Sequence, residues 1–229
     1  MFSMKAFNSP IYYQYMNQPV KVTIVLKDGK YSLEVDGEPF YINGAGVEFG
    51  SIASLAKYKG NSFRTWRTDN GKNTALEILD EAHKYGLKVT MGIEVARERH
   101  GFDYNDEQAV SSQLERIRQE VMALKDHPAL LIWAIGNELN LRYTNFKVWN
   151  AVNDISKMIH EIDPNHPTTT TLAGISKREI DQIKKRAPDL DLLSFQVYGE
   201  LGRLPRQVRS YGWNKPYIVT EWGATGRWE

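Results

Sequence analysis

Along most of this chain, short apolar runs alternate with longer stretches in which apolar positions recur at steps of three and four. Residues 87–93 and 129–136 are almost uninterrupted apolar runs and read as buried strands. Between and after them, Val110, Leu114, Ile117, Val121 and Leu124 form one amphipathic stripe, and Val148, Val152, Ile155, Ile159 and Ile162 form a second. Each helix so predicted ends at an X-Pro step, His127-Pro128 and Asp163-Pro164, where the proline ring excludes helical backbone from the residue before it. Residues 168–172 form a short β-branched strand. Ser176-Lys-Arg-Glu179 has capping-box spacing and opens a helix that runs to Ala187-Pro188, and strands follow at 190–198 and 216–221. Upstream, residues 61–66 are strand-like. Residues 73–85 are helical, with Leu76, Leu79 and Ala82 expected on one buried face and Gly86 as the stop.

The N-terminal part follows a different rule. Residues 21–26 and 31–35 favour β structure and flank Lys27-Asp-Gly-Lys30, and Asp-Gly between two such runs signals a hairpin. A second turn at Asp36-Gly leads into residues 40–47, the first strand of the alternating region. Apolar strands separated by helices form a parallel sheet covered on both faces, and no Gly-rich phosphate loop follows the first strand to support an open dinucleotide-binding sheet. The expectation is an α/β fold, a TIM (β/α)8-type barrel preceded by a hairpin at 20–35. Residues 1–19 form an irregular arm and 20–229 one barrel domain. Only seven strands are found, and eight residues follow Glu221, so the last β/α unit is expected to be missing. The sequence then reads as a piece of a longer reading frame, or the hairpin covers an edge between the first and last strands.

Composition narrows the classes. The chain has 229 residues, 41% hydrophobic and 25% charged, with a net charge of +1 that offers no field for nucleic acid or an anionic membrane. No stretch is long and apolar enough to cross a bilayer or to serve as a signal peptide core, and localisation stays open between cytoplasm, periplasm and the exterior. Without cysteine there is no disulfide or thiolate site, and His83, His100, His127, His160 and His166 show no ligand spacing. Neither metal nor cofactor is expected. His127 and His166, each in a turn before proline, are expected to be exposed.

In such a barrel the C-terminal strand ends share one mouth. Residues there are Glu48, Arg64, Trp66, Arg67, Glu94, Asn137, Glu138, Thr170 or Thr171, Gln196, Tyr198, Glu221 and Trp222. Carboxylates, an arginine, amides and aromatics suit a sugar site. Glycoside hydrolysis needs one carboxyl group to protonate the departing oxygen and another to attack or to direct water. Glu138 and Glu221 are the candidates. Arg64 and Tyr198 would hold the ionised partner, Asn137 would bind a sugar hydroxyl, Gln196 and Glu94 would line the site, and Trp66 and Trp222 would offer flat apolar faces.

Ile132-Trp-Ala-Ile-Gly-Asn-Glu138, Ser62-Phe-Arg-Thr-Trp66, Phe195-Gln-Val-Tyr198 and Val219-Thr-Glu-Trp-Gly223 together resemble the catalytic barrel of clan A retaining glycoside hydrolases, families 2 and 5 in particular. The entry Val35-Asp-Gly-Glu-Pro-Phe-Tyr-Ile-Asn-Gly44 is similar to that of family 2. The resemblance implies that Glu138 is the acid/base, Glu221 the nucleophile, and the substrate a β-glucan or β-galactoside. An aromatic residue that many members carry after strand 8 has no counterpart.

Blander readings accompany these. A strand-end glutamate taken singly is most often solvated, Arg64 could serve only a core ion pair, Glu48 and Glu94 could be structural, and Trp133 belongs to the core. Arg97-Glu-Arg99 and His100, after the third strand, either line a subsite or are solvated. Transglycosylation on the same site, an inactive carbohydrate-binding barrel and a metal-dependent barrel enzyme are the alternative functions. Pairing of an unfinished barrel between chains would make a homo-oligomer.

Overall fold

The computed structural model describes residues 19–224. Strands β1 (Val22–Lys27) and β2 (Lys30–Val35) pair antiparallel through the Asp28-Gly29 turn, where both residues have positive φ (52° and 71°). That is the turn whose twist matches the flanking strands, and it explains why Asp-Gly stands there. The two-residue β3 (Glu38–Pro39) completes this small sheet.

Among the described residues the second sheet has seven strands, all parallel: β4 (Gly44–Gly46), β5 (Ser62–Arg64), β6 (Lys88–Ile93), β7 (Leu130–Asn137), β8 (Thr168–Ala173), β9 (Leu192–Tyr198) and β10 (Tyr217–Gly223). They lie side by side in chain order, each joined to the next through a helix. The sheet is curled nearly closed: its edge strands β4 and β10 approach each other without pairing, leaving a cleft of about 360 Å³ lined in part by Asn43, Gly44, Arg64, Ile218, Thr220 and Trp222. Among the described residues this is a barrel of the (β/α)8 kind without its last β/α unit.

The helices are α1 (Ile52–Lys57), α2 (Ala75–Lys84), α3 (Glu107–Leu124), α4 (Lys147–Ile162), α5 (Lys177–Arg186) and α6 (Leu204–Ser210). The apolar stripes of α3 and α4 face the sheet as expected, with Ile117, Val121, Val148, Val152, Ile155 and Ile159 buried. In α2 the stripe is Ile78, Leu79 and Ala82, while Leu76 is 48% exposed. At roughly 100° per residue, Ile78 and Ala82 both lie on one side of Leu79 and Leu76 on the other, so the buried arc turns away from Leu76. Thr74 and Glu77 cap α2 with a reciprocal box. In α5 only half the expected box forms. Ser176 Oγ accepts from the Glu179 amide, but the Glu179 carboxylate instead receives the Tyr143 hydroxyl at 3.2 Å.

The hairpin does not cover the open edge. Its apolar residues Val20, Val22, Ile24, Leu33 and Val35 pack with Leu131, Ile132, Leu192 and Ile218 at the beginnings of β7, β9 and β10, so it stops the N-terminal end of the barrel. The Val22 amide also donates to the Asn165 carbonyl at 2.8 Å. At this end His166, expected to be exposed, is buried. It meets Asp163 at 2.9 Å, and the same carboxylate accepts the Trp133 indole N–H at 2.7 Å. A turn histidine with an acceptor beneath it is held inside. His127 is likewise mostly buried, in contact with Asp80 and accepting from the Ala129 amide.

Candidate active site

Asn137 closes β7 and Glu138 follows it, while Glu221 lies near the end of β10. Both strands break their pairing register immediately before the carboxylate: β7 between Ala134 and Asn137, β10 between Val219 and Glu221. Such bulges re-aim the side chains that follow. On β7 the Thr170 hydroxyl donates to the Ile135 carbonyl at 2.7 Å, and Gly136 takes a φ of 73°. A Cβ at Gly136 would lie 2.6 Å from the Leu139 side chain, so glycine is required there twice over. Glu138 has a φ of 52°, a conformation uncommon outside glycine, and its amide is fixed to the Thr171 carbonyl at 2.9 Å.

Five expected site residues meet in one network. Arg64 donates to Glu221 Oε1 at 2.7 Å and, by a shorter contact, to Asn137 Oδ1. Gln196 Nε2 donates to the same two acceptors, at 2.6 Å and 2.9 Å, and the Tyr198 hydroxyl reaches Glu221 Oε2 at 2.8 Å. Glu221 therefore accepts from three side chains, whereas no side-chain donor reaches the Glu138 carboxylate among the described residues. Burial first, and then the negative charge of Glu221, raise the Glu138 carboxyl above its ordinary value. Burial also lowers the Arg64 guanidinium against the opposing pull of Glu221, and burial with the Glu221 contact pushes the Tyr198 phenol up to about 12.

The remaining candidates divide. Trp66 lies beneath the Arg64 guanidinium, 5.0 Å from ring centre to cation, and Trp222 is 65% exposed beside the β4–β10 cleft. Glu94 is exposed, and its backbone carbonyl accepts from Arg116. Glu48 pairs with Arg67, so neither joins the network. Thr170 is spent on the β7 bulge, while the Thr171 hydroxyl has no partner among the described residues. The sequence undervalues one feature. Arg97 donates to the Asn137 carbonyl at 3.2 Å and Arg99 to the Glu138 carbonyl at 2.5 Å, so both grip the turn from the loop after β6. Their position after a strand's C-terminal end is the signal that could have found them. Among the described residues no group of three or more His, Cys, Asp or Glu side chains could hold a metal ion, and no helix is long and apolar enough to cross a membrane.

A family model described as "Glycosyl hydrolases family 2, TIM barrel domain" matches residues 71–227. Among solved structures the chain is similar to a β-D-glucuronidase of Dictyoglomus thermophilum, at 19% identity over 89% of this chain and 39% of that one, with a TM-score of 0.67. A Ruminococcus gnavus β-glucuronidase matches at 18% identity, 89% and 38% coverage and a TM-score of 0.66. One from Bacteroides uniformis matches at 16%, 88% and 27%, with a TM-score of 0.67. The chain thus spans about two-fifths or less of the length of these proteins, and at such identities the likeness is one of fold.

Proposed function

The chain belongs to glycosyl hydrolases family 2 through that TIM barrel domain, and from this premise we propose that it hydrolyses a β-glycosidic bond with retention of configuration. Glu221 attacks the anomeric carbon and Glu138 donates a proton to the departing oxygen. A glycosyl-enzyme ester forms as the old bond breaks. Glu138, now ionised, then takes a proton from water, which displaces Glu221 and restores both groups.

One observation carries this reading: the two carboxyl groups have opposite surroundings. Glu221 accepts hydrogen bonds from Arg64, Gln196 and Tyr198, while Glu138 is half-buried with no side-chain donor among the described residues and holds its proton more tightly. Environments that separate two carboxyls in this way distinguish the acid from the nucleophile. Asn137 supports it. Its Oδ1 is occupied by Arg64 and Gln196, which leaves its Nδ2 hydrogens to donate to the sugar hydroxyl next to the anomeric carbon. Trp66 and Trp222 supply stacking faces and Glu94 a rim contact.

The test is turnover of a panel of 4-nitrophenyl β-glycosides that includes glucoside, galactoside and glucuronide, the last because similar solved structures carry that name. NMR should show the β-anomer as the first product. Glu221→Ala should lose activity by about 10⁴-fold or more, in line with removal of a residue from a catalytic unit. Activity that survives in Glu221→Ala, or a first product of inverted configuration, would overturn the reading.

A further inference from the structure

Three arginines gather around the turn that carries Glu138, and the reading above does not use their charge. Arg97 and Arg99 are half-buried and hold the Asn137 and Glu138 carbonyls, and Arg142 stands exposed on the loop after β7 with a φ of 51°. None of the three is ion-paired among the described residues. The carboxylate between them in sequence, Glu98, is committed elsewhere. It accepts the Thr144 and Asn145 amides at 2.8 and 3.0 Å and the Thr144 hydroxyl at 2.5 Å. Glu98 therefore ties the loop after β6 to the loop after β7 and fixes the arginines in place. Burial and then the charge of Arg97 pull the Arg99 guanidinium below its ordinary value, with Glu138 opposing and Arg142 adding to the repulsion.

Three arginines beside the single Glu138 carboxyl leave an excess of positive charge, and a fold that holds such an excess beside a reacting group is arranged to receive an anion. We propose that Arg97, Arg99 and Arg142 form the subsite for the leaving group, and that the group they select is negatively charged, as a carboxylated or sulfated sugar is. This rests on Glu138 as the proton donor, since the donor lies on the side where the leaving group departs. The charge selected is that of the departing half, whichever sugar occupies the other side.

The experiment compares 4-nitrophenyl with 3-carboxy-4-nitrophenyl β-glycosides of one accepted sugar, at about 20 mM and about 500 mM salt, where the Debye length falls severalfold. The expected result is a kcat/KM preference of about tenfold for the carboxylated substrate at low salt, reduced to below about threefold at high salt. That preference should fall in Arg142→Gln and again in Arg99→Gln. In parallel, binding of 4-hydroxybenzoate and its neutral amide to the full chain is measured by NMR titration. Anion preference in binding without hydrolysis of any glycoside would keep the subsite and remove the hydrolase. Hydrolysis with no charge preference, or a preference unchanged in both arginine variants, would overturn the subsite and leave the hydrolase standing.

Discussion

Replacing Arg64 by methionine keeps much of the buried stem and deletes the guanidinium. Arg64 is only 3% exposed, and it makes two charge-assisted hydrogen bonds, to Glu221 and to Asn137. Bonds to charged groups contribute about 1.5–3 kcal/mol each, and breaking a fully buried ion pair costs about 3–5 kcal/mol. The Glu221 side chain, however, is 18% exposed and keeps Gln196 and Tyr198 as donors, so water and these two offset part of the loss. The expected cost is about 2–3 kcal/mol, which for a chain of this size lowers Tm by roughly 4–12 °C. Urea unfolding of the parent, Arg64→Met, Glu221→Gln and the double variant gives the coupling directly. In the Glu221→Gln background Arg64→Met should cost about 1 kcal/mol or less, because the carboxylate it would strand is gone. Equal cost in both backgrounds would show that Arg64 acts through packing alone, and the assignment of Arg64 as the charge partner of Glu221 would fail.

The raised pKa of Glu138 makes stability depend on pH in a definite sense. The folded chain binds this proton more tightly than the unfolded chain, so stability falls as pH rises from the ordinary glutamate value to the folded one. Glu138→Gln should therefore melt higher than the parent at about pH 8 and lose that advantage at about pH 3; an advantage independent of pH would contradict the assigned cause. Gly136→Ala, which meets both a positive φ and the Leu139 side chain, should destabilise by about 1–3 kcal/mol and reduce turnover with it. An unchanged unfolding midpoint would mean that the turn can relax. Gly29→Ala in the hairpin should cost about 1–2 kcal/mol through its φ of 71° alone, read by thermal unfolding, with no steric partner to add to it.

Much of the barrel was legible because periodicity reports burial. The stripes of α3 and α4 and the apolar run of β7 each fix an element and its inner face, and Asp28-Gly29 fixes the hairpin. Helices α1 and α6 are too short to show a period, and their boundaries rest on local features, the Ser51 cap and a proline in the first turn. The first barrel strand shrinks from the expected residues 40–47 to Gly44–Gly46. A Cβ at Gly44 or Gly46 would lie 2.5 Å from the Ser62 carbonyl or 2.7 Å from the Trp66 ring, a closeness no propensity reports. In the site, residue types and strand ends pointed to Arg64, Asn137, Gln196, Tyr198 and Glu221, which the fold does bring together. The grip of Arg97 and Arg99 on backbone carbonyls was not legible, because a carbonyl carries no residue identity.

The paired register breaks below the two carboxylates have a consequence for how such a chain can vary. In a regular strand, every side chain's facing is set by parity from one end to the other, so a demand at the tip constrains the root. One irregular step cuts that dependence. The lower parts of β7 and β10 are free to answer to the hairpin and the helices, and the last positions answer only to the chemistry at the rim. Substitutions that repack the base of this barrel can thus accumulate without turning either glutamate away from its partner.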